Sequence, residues 1–376
     1  MSEQIRAIGM SSGGLDSLLA LALVKQQGIE VLAVHCATGF DSGEIRRGLG
    51  WLGENGTAIE DAAAQAAAGA GVPLQVIDVA GRDYNQMLQR PRHGYGKNCN
   101  PCIDCHALML RRCAALMAEG GFHFIFTGDV LGQRPKSQRL HALRLIDREA
   151  GLENLVVRPL SARALPPTIP EQRGWIDRGR LLDISGRSRG RQIALARELG
   201  FARWVSPAGG CLLTDAHYST RLRDLIDHAA EPLALGRADY ALLLVGRHLR
   251  LDARVKFVVG RDARDNAALE KLGRGHWLLE ATGHPGPTTL VQGEPGDDDL
   301  RRIAAITAGY GKGRAAARVT VQARRGDVQR SLEVTPVDPD NASALRISSR
   351  VSEAPARGAS EPGRARVGEL RVDEDR

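Results

Sequence analysis

Residues 5–24 read IRAIGMSSGGLDSLLALALV: an apolar run, a polar break at 11–17, and a second apolar run. IRAIGM (5–10) has the length of a buried strand, and LLALALVKQQG carries helical character up to a glycine stop. Gly13 and Gly14 let the chain turn sharply between the two. A strand, a glycine turn and a helix open a parallel repeat, and the chain continues it. IEVLAVHC (29–36) reads as a strand, AIEDAAAQAAAGAG (58–71) as a helix and VPLQVIDV (72–79) as a strand. ALMLRRCAALMAEGG (107–121) follows as a helix, and FHFIFTGD (122–129) as a strand ending in a turn. Alternation of this kind predicts an α/β fold with a doubly wound parallel sheet. Its ligand site belongs at the carboxyl ends of the strands.

The 376 residues are too many for one core, so two domains are expected. At 43% hydrophobic and 25% charged, the composition excludes a membrane-embedded or wholly disordered chain. LLALALV is too short to span a bilayer and lacks signal-peptide flanks, which points to the cytoplasm with no membrane partner. A net charge of +7 suits a polyanionic partner. From about 216 the pattern changes. LRLDARVKFVVGRD (249–262), HWLLEATG and TTLVQG read as strands, DDDLRRIAAITAGYGKG (297–313) as a helix, and RVTVQA (318–323) as the last strand. The expected division is 1–215 for the parallel domain, 216–325 for a smaller α+β domain and 326–376 for a largely disordered tail. Only a weak strand at RSLEVTP is anticipated within that tail.

The polar break SSGGLDS lies where backbone N–H groups and a helix dipole hold phosphate. No Lys-Ser/Thr pair follows the glycines, so it is not a Walker A loop. An aspartate at 16 suits Mg²⁺ better than a bare turn. The stretch SGGLDS resembles the PP-loop of the ATP pyrophosphatases, enzymes that split ATP between its α- and β-phosphates and adenylate a substrate. The resemblance implies an adenine nucleotide alpha hydrolase-like fold, with ATP and Mg²⁺ held by Ser12, Gly13, Gly14, Asp16 and Ser17. His35 and Gly128, at the ends of two other strands, would border the nucleotide.

The six cysteines are too few for a disulfide framework. NCNPCIDCH (98–106) sets Cys99, Cys102 and Cys105 at three-residue steps. Cys102 and Cys105 fall where a helix begins, on one face of its first turn and near its positive end. Cys113, two turns and roughly 12 Å beyond Cys105, is out of reach and reads as core. His106 reads as a helix-surface residue. PP-loop enzymes that thiolate tRNA carry an Asn-Pro motif ending in cysteine and, about a hundred residues on, a cysteine in a glycine-cysteine-hydrophobic segment. NPCIDCH and GGCLL (209–213) resemble those two elements. The nearest family by these motifs is the tRNA-specific 2-thiouridylases and their relatives. Cysteine at 102, where the simplest members have aspartate, is similar to the branch that holds a [4Fe–4S] cluster by three thiolates. That resemblance implies ligation by Cys102, Cys105 and Cys211, with an iron left open. The alternative is a persulfide on Cys105 with Cys211 as resolving thiol. Cys99 is read as a bystander.

TGDVLGQRPKSQ (127–138) and SGRSRGRQ (185–192) are basic strips, and Arg134, Lys136, Arg187, Arg189 and Arg191 in them are expected on ATP phosphates or RNA. VVGRDARDN (258–266), GHWLLEATGHPGPTTLVQG (275–293) and the helix ending AGYGKG resemble the NFACT-R-type RNA-binding domain. Arg261 and Lys271 would lie on its RNA face, with Trp277 either stacking on bases or packing in the core. The function expected is an ATP-dependent tRNA uridine thiolase with Asp16, Cys105 and Cys211 in catalysis, taking sulfur from sulfide or a persulfide-carrying protein. Two rivals remain at this point. One is an amidating or nitrile-forming PP-loop enzyme with structural zinc; the other is a non-catalytic, metal-stapled RNA-binding protein.

Overall fold

A computed structural model of the chain describes residues 4–53, 56–201, 203–204 and 210–348. The expected tail beyond 348 and most of the SPAGG approach to Cys211 lie outside these residues. The first unit runs β1 (Arg6–Met10), α1 (Leu15–Lys25), β2 (Glu30–Ala37), α2 (Ser42–Gly48), α3 (Ala62–Ala70), β3 (Leu74–Asp78), α4 (Arg82–Gln89), α5 (Cys102–Gly120), β4 (Phe124–Thr127), α6 (Leu140–Glu149), β5 (Val156–Val157), α7 (Ile169–Gln172) and α8 (Gly190–Glu198). Its five strands are all parallel, in the order β3-β2-β1-β4-β5. The order reverses between β1 and β4, so their carboxyl ends frame the crevice where such sheets bind ligands. Leu18, Leu21 and Val24 of α1 pack with Phe124 and Phe126 of β4 on one side. Leu108, Leu110 and Cys113 of α5 pack with Ile8 and Ile125 on the other.

Two helices, α9 (Ala216–His228) and α10 (Arg237–Leu242), lead into the second unit. It comprises β6 (Arg247–Arg250), β7 (Lys256–Val259), α11 (Ala263–Leu272), β8 (Trp277–Ala281), β9 (Thr289–Gln292), α12 (Asp297–Gly309), β10 (Val319–Arg325) and β11 (Val328–Val334). These six strands form an antiparallel sheet ordered β11-β10-β8-β9-β7-β6. Leu300, Ile303 and Ala304 of α12 cover one face with Phe257, Leu279 and Val321. Val258, Leu278 and Leu290, which point the other way, join the core that also contains α5 and α9 residues.

The fold class is that expected from the alternation. One boundary moves. RVTVQA is not the last strand, because β11 pairs with β10 along its whole length, from Val319 with Val334 to Arg325 with Val328. The weak strand at RSLEVTP is therefore part of the second sheet, and a cut at 325 would split a hairpin. The turn between the strands uses Gly326 at φ 56°, where the missing Cβ lets one residue take the left-handed conformation.

Candidate functional site

The polar break forms the loop between β1 and α1. Ser11 N–H donates to Val34 O (2.8 Å), seating the loop on β2, and His35 Nδ1 lies 2.9 Å from Ser11 O. Gly13 has φ 78°, and a Cβ there would stand 2.6 Å from both Ala62 Cβ and Ala63 N. Glycine is thus required twice over, by conformation and by the close approach of α3. Gly14 caps α1 without any side-chain hydrogen bond, leaving that N-terminus for another acceptor. Ser17 Oγ donates to Gly14 O (2.8 Å), while Ser12 is exposed on the rim. Gly128, after β4, packs so tightly on α1 that a Cβ would lie 2.6 Å from Ser17 N and 2.7 Å from the Asp16 carbonyl carbon. The ends of β1 and β4 therefore meet at the switch point.

Asp16 sits where the two ends meet. Its Oδ2 accepts from Gln133 Nε2 (2.7 Å) and Arg189 Nη2 (3.0 Å), and its Oδ1 is buried with no hydrogen-bond partner. A buried orphan carboxylate oxygen beside an uncapped helix N-terminus fits Mg²⁺ accompanying a polyphosphate. Gln192, fully buried on α8, donates to Gln133 Oε1 (2.9 Å) and fixes that amide in turn. Sequence reading assigned Arg189 to RNA or phosphate, and the structure places it on the loop carboxylate.

The thiols gather at the same carboxyl edge. Cys102 and Cys105 occupy the first turn of α5, as the spacing predicted. Cys211 arrives from across the molecule, pairing as a β-bridge with Asp41, and Leu212 N–H donates to Phe40 O (2.9 Å). Burial pushes the Cys105 thiol up to about 12, with a lowering contribution from the Tyr84 hydroxyl and raising ones from Cys102 and Cys36. Burial, then the nearby Cys105 and Cys102, likewise push Cys211 up to about 12. Burial raises Cys102 too, opposed by the charges of Arg134 and Lys136. Thiolates are the ligands an iron–sulfur cluster takes, so the three residues suit one in chemical kind. As the side chains stand, however, no group of three or more His, Cys, Asp or Glu among the described residues is arranged to hold a metal ion.

Cys99 is turned away: it is buried, and its thiol donates to Ser219 O of α9 (3.7 Å). Cys113 is fully buried, as expected. His106 is not a surface residue. It is half-buried and interacts with Asp129 at the end of β4. Burial would raise Asp129, but His106, Arg158, Gln138 and Thr127 outweigh it and hold the carboxyl below its usual range.

The loop 130–139 joins the two halves of the site. Gln133 holds Asp16, and three positions on, Lys136 donates to Tyr95 O (3.2 Å) in the segment leading to the cysteines. Arg134 and Arg187 are exposed. In the second unit the expected RNA residues are engaged within the chain. Arg261 binds the buried carboxylate of Asp265 (2.5 Å), and Lys271 donates to Gly48 O of α2 (2.6 Å). Trp277 is a core residue of the second sheet, flanked by Arg325 and Arg330. Sequence reading missed Gln133, Gln192 and Tyr84, because nothing local marks a polar side chain whose partner is distant in the chain.

Parts of the chain match known proteins. Residues 5–148 match the family described as the tRNA methyl transferase HUP domain, and residues 246–346 the NFACT protein RNA binding domain. The tRNA-specific 2-thiouridylase MnmA of Frankia alni is 28% identical over 318 residues, covering 81% of each chain. The enzyme of that name from Methylorubrum extorquens is 27% identical over 206 residues, 53% of this chain and 49% of that one. A solved structure, a predicted tRNA methyltransferase subunit from Methanocaldococcus jannaschii, covers 52% of this chain and 89% of its own at 14% identity. Its TM-score of 0.29 carries no argument. Residues 5–148 are thus similar to the tRNA methyl transferase HUP domain and to the 2-thiouridylases, and residues 246–346 of the same chain to the NFACT RNA-binding domain.

Proposed function

We propose that the chain is a cytoplasmic, ATP-dependent tRNA uridine thiolase. The carrying observation is the loop 130–139, which touches Asp16 through Gln133 and bears on Cys102 through Arg134 and Lys136. Adenylating and sulfur-bearing groups then serve one substrate atom. The PP-loop amides and the α1 N-terminus would take the β- and γ-phosphates, while a uridine carbonyl oxygen attacks the α-phosphorus. The C–O bond is thereby primed to leave as AMP, and charge developing on pyrophosphate meets preorganised donors. Mg²⁺, held at Asp16, would supply further positive charge there.

Sulfur delivery falls to Cys105 and Cys211. In the persulfide route a persulfide-carrying donor passes its outer sulfur to the Cys105 thiolate, the donor leaving as a thiol, and that sulfur then attacks the activated carbon as AMP departs. The Cys211 thiolate then attacks the Cys105 sulfur, releasing thiouridine and leaving a disulfide for a thiol reductant to reset. In the cluster reading Cys102, Cys105 and Cys211 would hold [4Fe–4S], which would supply iron to bind sulfide. Arg134, Lys136 and Arg187 would meet RNA phosphate, and the NFACT-type unit would hold the tRNA body. Domain limits near 215 and after the β10–β11 hairpin fit this division.

The test is pyrophosphate release from ATP and Mg²⁺. Release that depends on added tRNA supports the reading. Release that ignores tRNA and responds to a small carboxylic acid or amide would replace it with the amidating alternative.

A further inference from the structure

We propose that Tyr84 is a positioning residue for the Cys105 sulfur, its buried hydroxyl donating a hydrogen bond to that sulfur when it carries negative charge. The inference rests on the thiolase reading above and deepens it. Tyr84 on α4 is 1% exposed, and its Oη lies 3.4 Å from Cys105 Sγ. A buried hydroxyl is retained where it has a partner, since an unpaired one keeps its full desolvation cost. The hydrogen bond to a charged acceptor is the stronger kind.

The ring is held from every side. Phe40 stacks on Tyr84 with centroids 5.7 Å apart, and it also meets Tyr240 (4.5 Å) and, edge-on, Tyr218 (6.3 Å). The neighbouring Asn85 accepts from Tyr240 Oη (2.5 Å) and donates to Leu233 O and Leu235 O (3.0 and 2.7 Å). Cys211 hangs on the same platform, because the Phe40 carbonyl accepts from Leu212 N–H and Asp41 bridges to Cys211. One aromatic group thus fixes the backbone beside Cys211 and touches the sulfur of Cys105. A purely space-filling role would be met equally well by phenylalanine. The hydroxyl, which meets the Cys105 sulfur and also has a hydrogen bond with Thr38, is what that role leaves unexplained.

The experiment is Tyr84→Phe in the full chain, assayed for tRNA thiolation with ATP and a persulfide-carrying donor protein under anaerobic conditions. Loss of a hydrogen bond to a charged group predicts a kcat lower by about ten- to a hundredfold. KM for tRNA and ATP, tRNA-dependent pyrophosphate release and the thermal midpoint should stay near wild type. A structural role would shift the midpoint and pyrophosphate release along with kcat. If Tyr84→Phe destabilises the chain, the ratio of thiouridine formed to pyrophosphate released still decides, because it counts only folded, adenylating enzyme. A wild-type ratio and kcat would overturn the proposal. A wild-type protein that releases pyrophosphate with tRNA yet forms no thiouridine would overturn the thiolase reading, and this inference with it.

Discussion

Arg189 closes onto Asp16, its Nη2 standing 3.0 Å from a carboxylate 173 positions earlier in the chain. Gln133 shares the same oxygen, and the other oxygen is buried without a partner. The PP-loop carboxylate is therefore balanced by a cation on one side and open on the other, as a group that trades one charge partner for a polyphosphate-bound metal should be. Arg189, expected on ATP phosphates or RNA, is engaged by this carboxylate.

Arg189→Ala should accordingly raise the KM for ATP by about tenfold, the size of one charge-assisted contact. The salt dependence of tRNA binding should not change, because no phosphate contact to RNA is lost. Titration with ATP, and filter binding of tRNA across a salt series, check the two halves. A shallower salt slope with unchanged KM would return Arg189 to the RNA side.

Gly128→Ala should disable the switch point. The new Cβ would meet Ser17 N at 2.6 Å and backbone of Asp16 at 2.7 Å, with no flexible side chain to yield. Overpacking against backbone costs about 1–3 kcal/mol or more. Urea denaturation should show a lower midpoint at unchanged slope, and ATP binding should be lost even where the variant is folded.

Much of this was legible in the residues. The strand–loop–helix at 5–25 predicted the parallel sheet because apolar runs of that length, broken by glycines, admit few other folds. Cys102 and Cys105 were placed on the first turn of α5 from spacing alone. The missed features have a common cause. Tyr84 touches Cys105, and Gln133 touches Asp16 from 117 positions away. Neither belongs to a periodic pattern or a short motif, so only the packing of α4 on α5, and of the loop after β4 on α1, brings them into view. The β11 strand was undervalued for another reason. Its burial pattern is exposed at Val328–Ser331 and buried at Leu332 and Val334, so its composition is that of a surface segment, and its order comes from pairing with β10.

Stability should fall on mild acidification because of His248. It is 2% exposed, and burial first, then Lys256 and Arg221, hold it well below the usual imidazole range. The unfolded chain takes up this proton near its ordinary value of 6.5, whereas the folded chain does so only at lower pH. Below that value the unfolded state binds more protons, so the contribution is complete above about pH 6.5 and declines as pH drops beneath it. Urea midpoints measured from about pH 7 to pH 5 should fall for wild type and fall less for His248→Gln. Parallel slopes would mean that other groups dominate.

Cysteine replacements should separate by position. Cys105→Ala and Cys211→Ala should each abolish thiouridine formation while tRNA-dependent pyrophosphate release persists. Cys99→Ala, whose thiol is directed at Ser219 O, should retain both. If iron is bound after anaerobic reconstitution, Cys102→Ala should lose it together with the other two ligand variants, and a Cys102→Ala protein that still thiolates without iron would favour the persulfide route.

The central claim is that this chain places sulfur on an adenylated uridine of tRNA. Nucleoside mass spectrometry of tRNA incubated anaerobically with the iron-reconstituted protein, ATP, Mg²⁺ and either sulfide or a persulfide-carrying donor protein measures it directly. Thiouridine should appear with wild type, and be absent without ATP and with Cys105→Ala. Unmodified tRNA from a folded protein that consumes ATP to AMP and pyrophosphate would contradict it.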